Sequence, residues 1–242
     1  MRATLVNASQ SETSIAVWVD FAGGPASKPV AWISALLSPN CYAVYEWQAA
    51  YELVWADTGK LLAGKTVNAA QRLPTAPAGG AARLEKQGGG YRLVAVSPAV
   101  PPDPGTLLVE TSADVPAEQL AVGVNIRILS GMGAPGDAAG VAQAGPNLTY
   151  RWTTGETYYA NAGAITQSEY DPPALQTQTP LKLDFAGGSD VGILLDQANI
   201  LHQLGNAQLA EIASSAAFVR MPAAPASCRP CGATAATIEP DS

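Results

Sequence analysis

The stretch Cys41-Tyr42-Ala43-Val44-Tyr45-Glu46-Trp47-Gln48-Ala49-Ala50-Tyr51-Glu52-Leu53-Val54-Trp55 decides the fold class of this chain. Its apolar side chains fall on odd numbers (Cys41, Ala43, Tyr45, Trp47, Ala49, Tyr51, Leu53, Trp55), while Glu46, Gln48 and Glu52 fall on even ones. Side chains on a strand alternate faces with a period of two, so the stretch turns an aromatic-rich face to a core and an acidic face to water. At roughly 3.3 Å per residue it would run for about 50 Å, far beyond the usual strand of about five or six residues. That length predicts a bend, and Ala49-Ala50 is the lightest place for it.

Similar alternation recurs outward from this segment. Ile15, Val17 and Val19 share one parity against Ser14, Trp18 and Asp20, and the run stops at Ala22-Gly23-Gly24-Pro25. Val30 to Leu37 is a second apolar run, closed by Pro39-Asn40. Asp57-Thr58-Gly59-Lys60 has tight-turn chemistry, since glycine accepts positive φ and aspartate bonds the backbone ahead of it. Thr66 to Leu73 reads as the next strand, and Ala81 to Lys86 with Tyr91 to Val96 reads as a hairpin around Gly88-Gly89-Gly90. Pro98 to Pro104 is a stiff connection before Thr106 to Thr111. Later strands are marked by Leu120, Val122, Val124, Ile126 and Ile128, by Leu148, Tyr150 and Trp152, by Leu181, Leu183 and Phe185, and by Val191, Ile193 and Leu195.

These runs predict an all-β protein, an antiparallel β-sandwich of about ten strands with a short C-terminal helix. The sandwich is expected over residues 1–205 and the helix over 206–220, with Asn206 as its cap and Leu209, Ile212 and Ala213 on one face. Residues 221–242, rich in proline and alanine, read as a disordered tail.

The composition narrows the function classes. The 242 residues suffice for a sizeable core, and the charged fraction of 14% is low against about 25% for typical soluble domains. A net charge of −7, with thirteen scattered Lys and Arg, excludes nucleic acid as the expected partner and disfavours anionic membranes. No apolar run reaches the roughly 20 residues of a membrane span, and Met1 to Asn7 opens no signal-peptide core. Cytoplasmic residence without membrane insertion is the default expectation, with export by another route left open.

No motif assembles chemistry. Gly131-Met132-Gly133-Ala134-Pro135-Gly136 matches G-x-G-x-x-G, but a phosphate-cradling loop must open a helix, and only Asp137 to Gly145 precede Pro146 and the next strand. It reads as a flexible loop between strands. Cys41 lies on the apolar parity and is expected to be buried. Cys228-Arg229-Pro230-Cys231 reads as incidental tail cysteines, the alternative being a reversible disulfide or cross-link. A zinc site would need four ligands, and beyond this pair the chain offers Cys41 and the single histidine, His202. His202 has no nucleophile elbow near it, since Gly188-Ser189-Asp190 lacks the flanking glycines. Glu46, Glu52, Glu110, Asp184 and Asp190 could supply a hydrolytic carboxylate pair, although solvent-facing carboxylates belong in any sandwich. No catalytic residue, metal ligand or cofactor is expected. Trp18, Tyr42, Tyr158 and Tyr159 fall outside the clean apolar parities and are the candidate ligand-binding residues, as rings that could stack on a sugar, although core packing or a subunit contact is the favoured fate of such rings.

The run Trp47-Gln48-Ala49-Ala50-Tyr51-Glu52-Leu53-Val54-Trp55-Ala56-Asp57-Thr58-Gly59-Lys60-Leu61, followed by Gly64 and Ala69-Ala70-Gln71, resembles the RhiA-like proteins, a family named for a rhizosphere-expressed protein of nodulating bacteria. Val122-Gly123-Val124 and Gln143-Ala144-Gly145-Pro146-Asn147-Leu148-Thr149-Tyr150 extend the similarity. Ala56 departs from it, standing where a hydroxyl residue is expected. The resemblance implies quorum-regulated expression in a plant-associated bacterium and carries over no catalytic residue. The expected function is non-enzymatic binding or self-assembly, the partner being a second copy of the chain or another protein. A carbohydrate-binding module with a glycan partner and a carboxylate-dependent hydrolase are the alternatives.

Overall fold

The computed structural model describes residues 1–25, 28–76, 79–97, 103–132, 136–173, 179–185 and 188–222. Its strands are β1 (Arg2–Asn7), β2 (Thr13–Ala22), β3 (Ile33–Leu37), β4 (Cys41–Asp57), β5 (Lys65–Thr66), β6 (Gln71–Pro74), β7 (Gly79–Gln87), β8 (Gly90–Ala95) and β9 (Thr106–Thr111). They continue as β10 (Leu120–Ser130), β11 (Gly140–Gln143), β12 (Thr149–Gly163), β13 (Glu169–Tyr170), β14 (Leu181–Leu183), β15 (Asp190–Leu195) and β16 (Leu201–Leu204). The helix α1 (Asn206–Ser214) and the strand β17 (Val219–Arg220) follow. One sheet takes the order β11-β10-β4-β1-β15-β16, with β6 and β17 also on β4; the other takes β3-β2-β12-β9-β7-β8, with β14 on β12; β5 and β13 pair separately.

The all-β class stands, with two corrections. The described residues form seventeen strands rather than about ten, because short pieces such as β5, β13 and β17 are too brief to show a period. The sheets are also mixed: β1 runs parallel to β15, β7 to β9, and β17 to β4. Alternation reports which face a residue takes and carries no information on the direction of the neighbouring strand.

The bend falls where the length of β4 required it. Tyr51 opposes Ile126 and Trp47 opposes Ile128, so Gln48, Ala49 and Ala50 together face Arg127. Two residues are inserted, an even number, and parity survives the bulge. Trp47 and Tyr51 therefore both enter the core with Tyr45 and Leu53. The acidic face is less wet than its alternation suggested. Val54 and Ala56 are buried beneath Val30, Val67, Ala138 and Val141, and Ala16 beneath Ala31 and Ile165. Connecting segments fold over the outer faces of both sheets and bury small secondary cores there.

Two glutamines close the sides of the sandwich. Gln71 on β6 accepts from the Leu93 amide at 2.8 Å and donates to the Leu93 carbonyl at 3.0 Å, joining one sheet to the edge strand β8 of the other. Gln203 on β16 does the same with the Asp184 backbone at 2.9 and 2.7 Å. Each carboxamide satisfies edge groups that would otherwise template pairing with another chain.

Other expectations meet particular outcomes. The cap of α1 lies one residue earlier than predicted: Gly205 rather than Asn206 holds the N-cap position, and Gln208 Oε1 accepts from the Gly205 amide at 3.0 Å. Cys41 is half-buried rather than buried, because it opens β4 at a sheet end. Residues 133–135 of the glycine-rich stretch lie outside the described residues, and the glycines on either side, Gly131 and Gly136, are closely packed. A Cβ on Gly136 would lie 2.1 Å from the Trp32 carbonyl oxygen, and one on Gly131 2.2 Å from the Tyr45 ring. The paired cysteines at 228 and 231, and the tail apart from Met221 and Pro222, lie outside the described residues; Met221 itself packs on the core and its amide donates to the Tyr42 carbonyl at 2.8 Å. No helix among the described residues is long and apolar enough to cross a membrane.

Candidate functional site

The four aromatic candidates separate into three places. β2 and β12 pair antiparallel with Trp18 opposite Tyr159, so both rings stand on the same, outer face of their sheet. The rings stack with centroids 5.8 Å apart and planes 17° from parallel. They line a cleft of about 370 Å³ with Pro29 and Pro180, flanked by Asp20 and Lys28. Trp18 is 8% exposed, most of its surface being spent on Tyr159 and the sheet, whereas Tyr159 is half-buried. Lys28 Nζ lies 3.6 Å from Asp171 Oδ2. Such a cleft offers ring surface, proline edges and one charge of each sign; it can hold a ligand and presents no arranged nucleophile.

Tyr42 lies elsewhere, half-buried on the outer face of the opposite sheet beneath α1. Tyr158 is not available to a ligand. It is 3% exposed and belongs to an inter-sheet aromatic cluster with Trp32, Trp47 and Phe185, at centroid distances of 5.4 to 6.2 Å.

That cluster ends in a carboxylate absent from the sequence candidates. Thr153 opposes Ala22 and Thr157 opposes Asp20, which makes Thr154-Gly155-Glu156 a bulge in β12, with Gly155 at φ +123°. Bulges re-aim side chains, and this one turns Glu156 toward the core mouth. Tyr51 Oη donates to both Glu156 oxygens at 3.0 Å, and Tyr158 Oη donates to Oε1 at 2.9 Å. The Gly155 amide donates to Oε2 at 2.9 Å, and Trp47 Nε1 donates to Tyr158 Oη at 3.2 Å. A glycine inside an alternating run is the signal that would have marked the bulge. The Glu156 partners are phenols and an amide, so the network ties the two sheets together rather than pairing carboxyl groups for acid–base work.

The other sequence-named groups are engaged locally. Arg2 lies between Glu46 and Asp190 at 4.0 and 3.9 Å. Asn125 donates to Glu52 at 2.9 Å, and Arg83 pairs with Glu110 at 2.8 Å. His202 Nε2 is 2.8 Å from Asp196 Oδ2, and Ser189 Oγ donates to Asp190 at 3.2 Å. Asp196 is held below the usual carboxylate range by the Ile200 amide first and by His202 next. Among the described residues no group of three or more His, Cys, Asp or Glu could hold a metal.

Burial pushes the phenols of Tyr45, Tyr51 and Tyr158 well above their ordinary value, and the Glu156 charge adds to the rise for the last two. A folded-state value above the unfolded one contributes stability that is complete below about pH 10 and is lost as pH climbs toward the folded value. Alkaline titration followed by phenolate absorbance is therefore expected to leave these three of the eight tyrosines silent until the sandwich unfolds. Ionisation of all eight with native circular dichroism intact would contradict that reading.

Comparison with known proteins gives one coherent result. The family model described as RhiA matches residues 2–199. Protein RhiA of Rhizobium leguminosarum bv. viciae is 31% identical over 120 residues, covering 49% of this chain and 47% of that protein. The chain thus spans about half the length of the curated relative it matches. No solved structure matches.

Proposed function

This chain belongs to the RhiA family, and on that premise we propose that it is a non-enzymatic binding or self-assembly protein of a plant-associated bacterium. The observation that carries the reading is the stacked Trp18–Tyr159 pair, seated in an open cleft between proline edges. Ring surface kept at the edge of water has a cost that a partner's apolar or planar surface removes. A second copy of the chain or another protein is the favoured occupant. The half-buried Tyr159 ring, with Asp20 and Lys28 beside it as hydrogen-bonding groups, supports a sugar as the second reading. The engaged state of Glu46, Glu52, Glu110 and Asp190 gives a hydrolase no comparable support.

Tyr159→Ala is the discriminating variant, because the residue is half-buried at the surface and its loss leaves the central aromatic cluster whole. Light scattering across a concentration series should show association of the wild type that weakens at least tenfold in the variant. Tryptophan emission titrated with a glycan panel tests the sugar reading in the same pair of proteins. Wild-type protein that stays monomeric and answers no glycan, or a variant that behaves as wild type in both assays, removes the proposal. Quorum-regulated expression belongs to the same proposal, and transcript levels that do not change with cell density would end it.

A further inference from the structure

We infer that the cleft between α1 and the outer face of its sheet binds a small amphiphilic carboxylate, with the acid group on Arg220 and Arg2 and an apolar tail between Val44 and the underside of α1. The cleft encloses about 300 Å³, at the lower end of the size of small-molecule sites. It exists because of one glycine. A Cβ on Gly192 would lie 2.5 Å from Leu209 Cδ2 and 2.8 Å from Leu204 Cβ. The bare backbone of β15 seats Leu209 and holds α1 over the sheet, while Ala210 and Ala213 leave room beside it. Tyr42 and Val44 form the floor, and Leu209 and Ile212 form the roof.

The charges are placed at one rim. β17 runs parallel to β4 with Arg220 opposite Tyr42, and both residues line the cleft. Among the described residues the Arg220 side chain has no hydrogen bond or ion pair. Arg2 faces the same cleft, and its contacts with Glu46 and Asp190 at 4.0 and 3.9 Å are too long to be hydrogen bonds. Its guanidinium is thus held in ion pairs but makes no hydrogen bond of its own. Glu46 and Asp190 balance the charge of Arg2, which leaves the Arg220 guanidinium as the cation without a partner at this rim among the described residues. A planar, forked donor matches a carboxylate in two parallel bonds, and an aliphatic tail meets the Val44, Leu209 and Ile212 side chains.

The site is separate from the Trp18–Tyr159 cleft, so its test is independent of that reading. Octanoate titrated into the full chain by calorimetry, with amide chemical shifts of β1, β15 and α1 followed in parallel, is expected to bind. Shortening the tail should weaken binding about fourfold per methylene. Octanol and octylamine should bind at least tenfold more weakly than octanoate. Arg220→Ala, at an exposed position, should lose at least tenfold in octanoate affinity with unchanged thermal unfolding, Arg220→Lys should recover part of it, and Tyr159→Ala should have no effect. No octanoate binding at millimolar concentration, equal binding of octylamine, or an Arg220→Ala variant with wild-type affinity would each overturn the inference.

Discussion

Replacing Trp47 by alanine is expected to lower the unfolding free energy by about 3–5 kcal/mol, the range for removing a large aromatic side chain from a packed core. Trp47 is 1% exposed and meets Trp32 edge-on at 5.4 Å, Tyr158 at 5.6 Å and Phe185 edge-on at 5.9 Å. Its Nε1 also donates to Tyr158 Oη, which in turn donates to Glu156. The substitution leaves a cavity at the centre of the sandwich and removes the donor to a buried hydroxyl. Trp47→Phe separates the two contributions. It keeps a ring and loses the N–H, and should cost about 1–2 kcal/mol for the lost bond and the smaller volume. Urea unfolding of both variants measures this; an alanine variant within about 1 kcal/mol of wild type would mean that the inter-sheet aromatic cluster is not the centre of the core.

Gly123→Val is the second large effect, expected on the order of 3 kcal/mol or more because the obstacle is backbone. Gly123 sits in β10 between Val54 of β4 and Val141 of β11. A Cβ there would lie 2.2 Å from the Gly140 carbonyl oxygen, a distance no rotamer can relieve. β11 would have to leave the sheet edge, taking with it the Gln143 carboxamide, which receives the Leu61 amide and donates to the Gly59 and Leu120 carbonyls. Hydrogen exchange should then report loss of protection at β11 and in the Gly59 turn before the rest of the sheet. Uniform protection, or an unchanged melting temperature, would show that the strand spacing tolerates a side chain.

This corner also gives the family resemblance a structural meaning. The Gly59 turn, the start of β10 and the Gln143 to Tyr150 segment come from three separated parts of the chain. The Gly59 amide donates to the Gln119 carbonyl, the Ala144 amide to that of Leu120, and Tyr150 Oη to that of Gln143. Asn147 takes the left-handed conformation at φ +55° that closes the turn. These residue types are explained by turn chemistry and close approach.

The alternation of residues 41 to 55 by itself determined that the chain is built of strands and that Tyr45, Trp47, Tyr51 and Leu53 line a core, because period two is a local property of the extended backbone. It also placed the bend, since length and side-chain size are read along one strand. What covers the second face was decided only by tertiary structure. Trp18 became a cleft wall stacked on Tyr159, Tyr158 a core residue and Val54 part of a second small core, because connecting segments distant in sequence fold over those faces. The same holds for the parallel pairings, the bulge that aims Glu156 at two phenols, and the cleft that Gly192 opens beneath α1. Each depends on which strand lies beside which, and that contact is made between residues whose separation along the chain leaves no periodic mark.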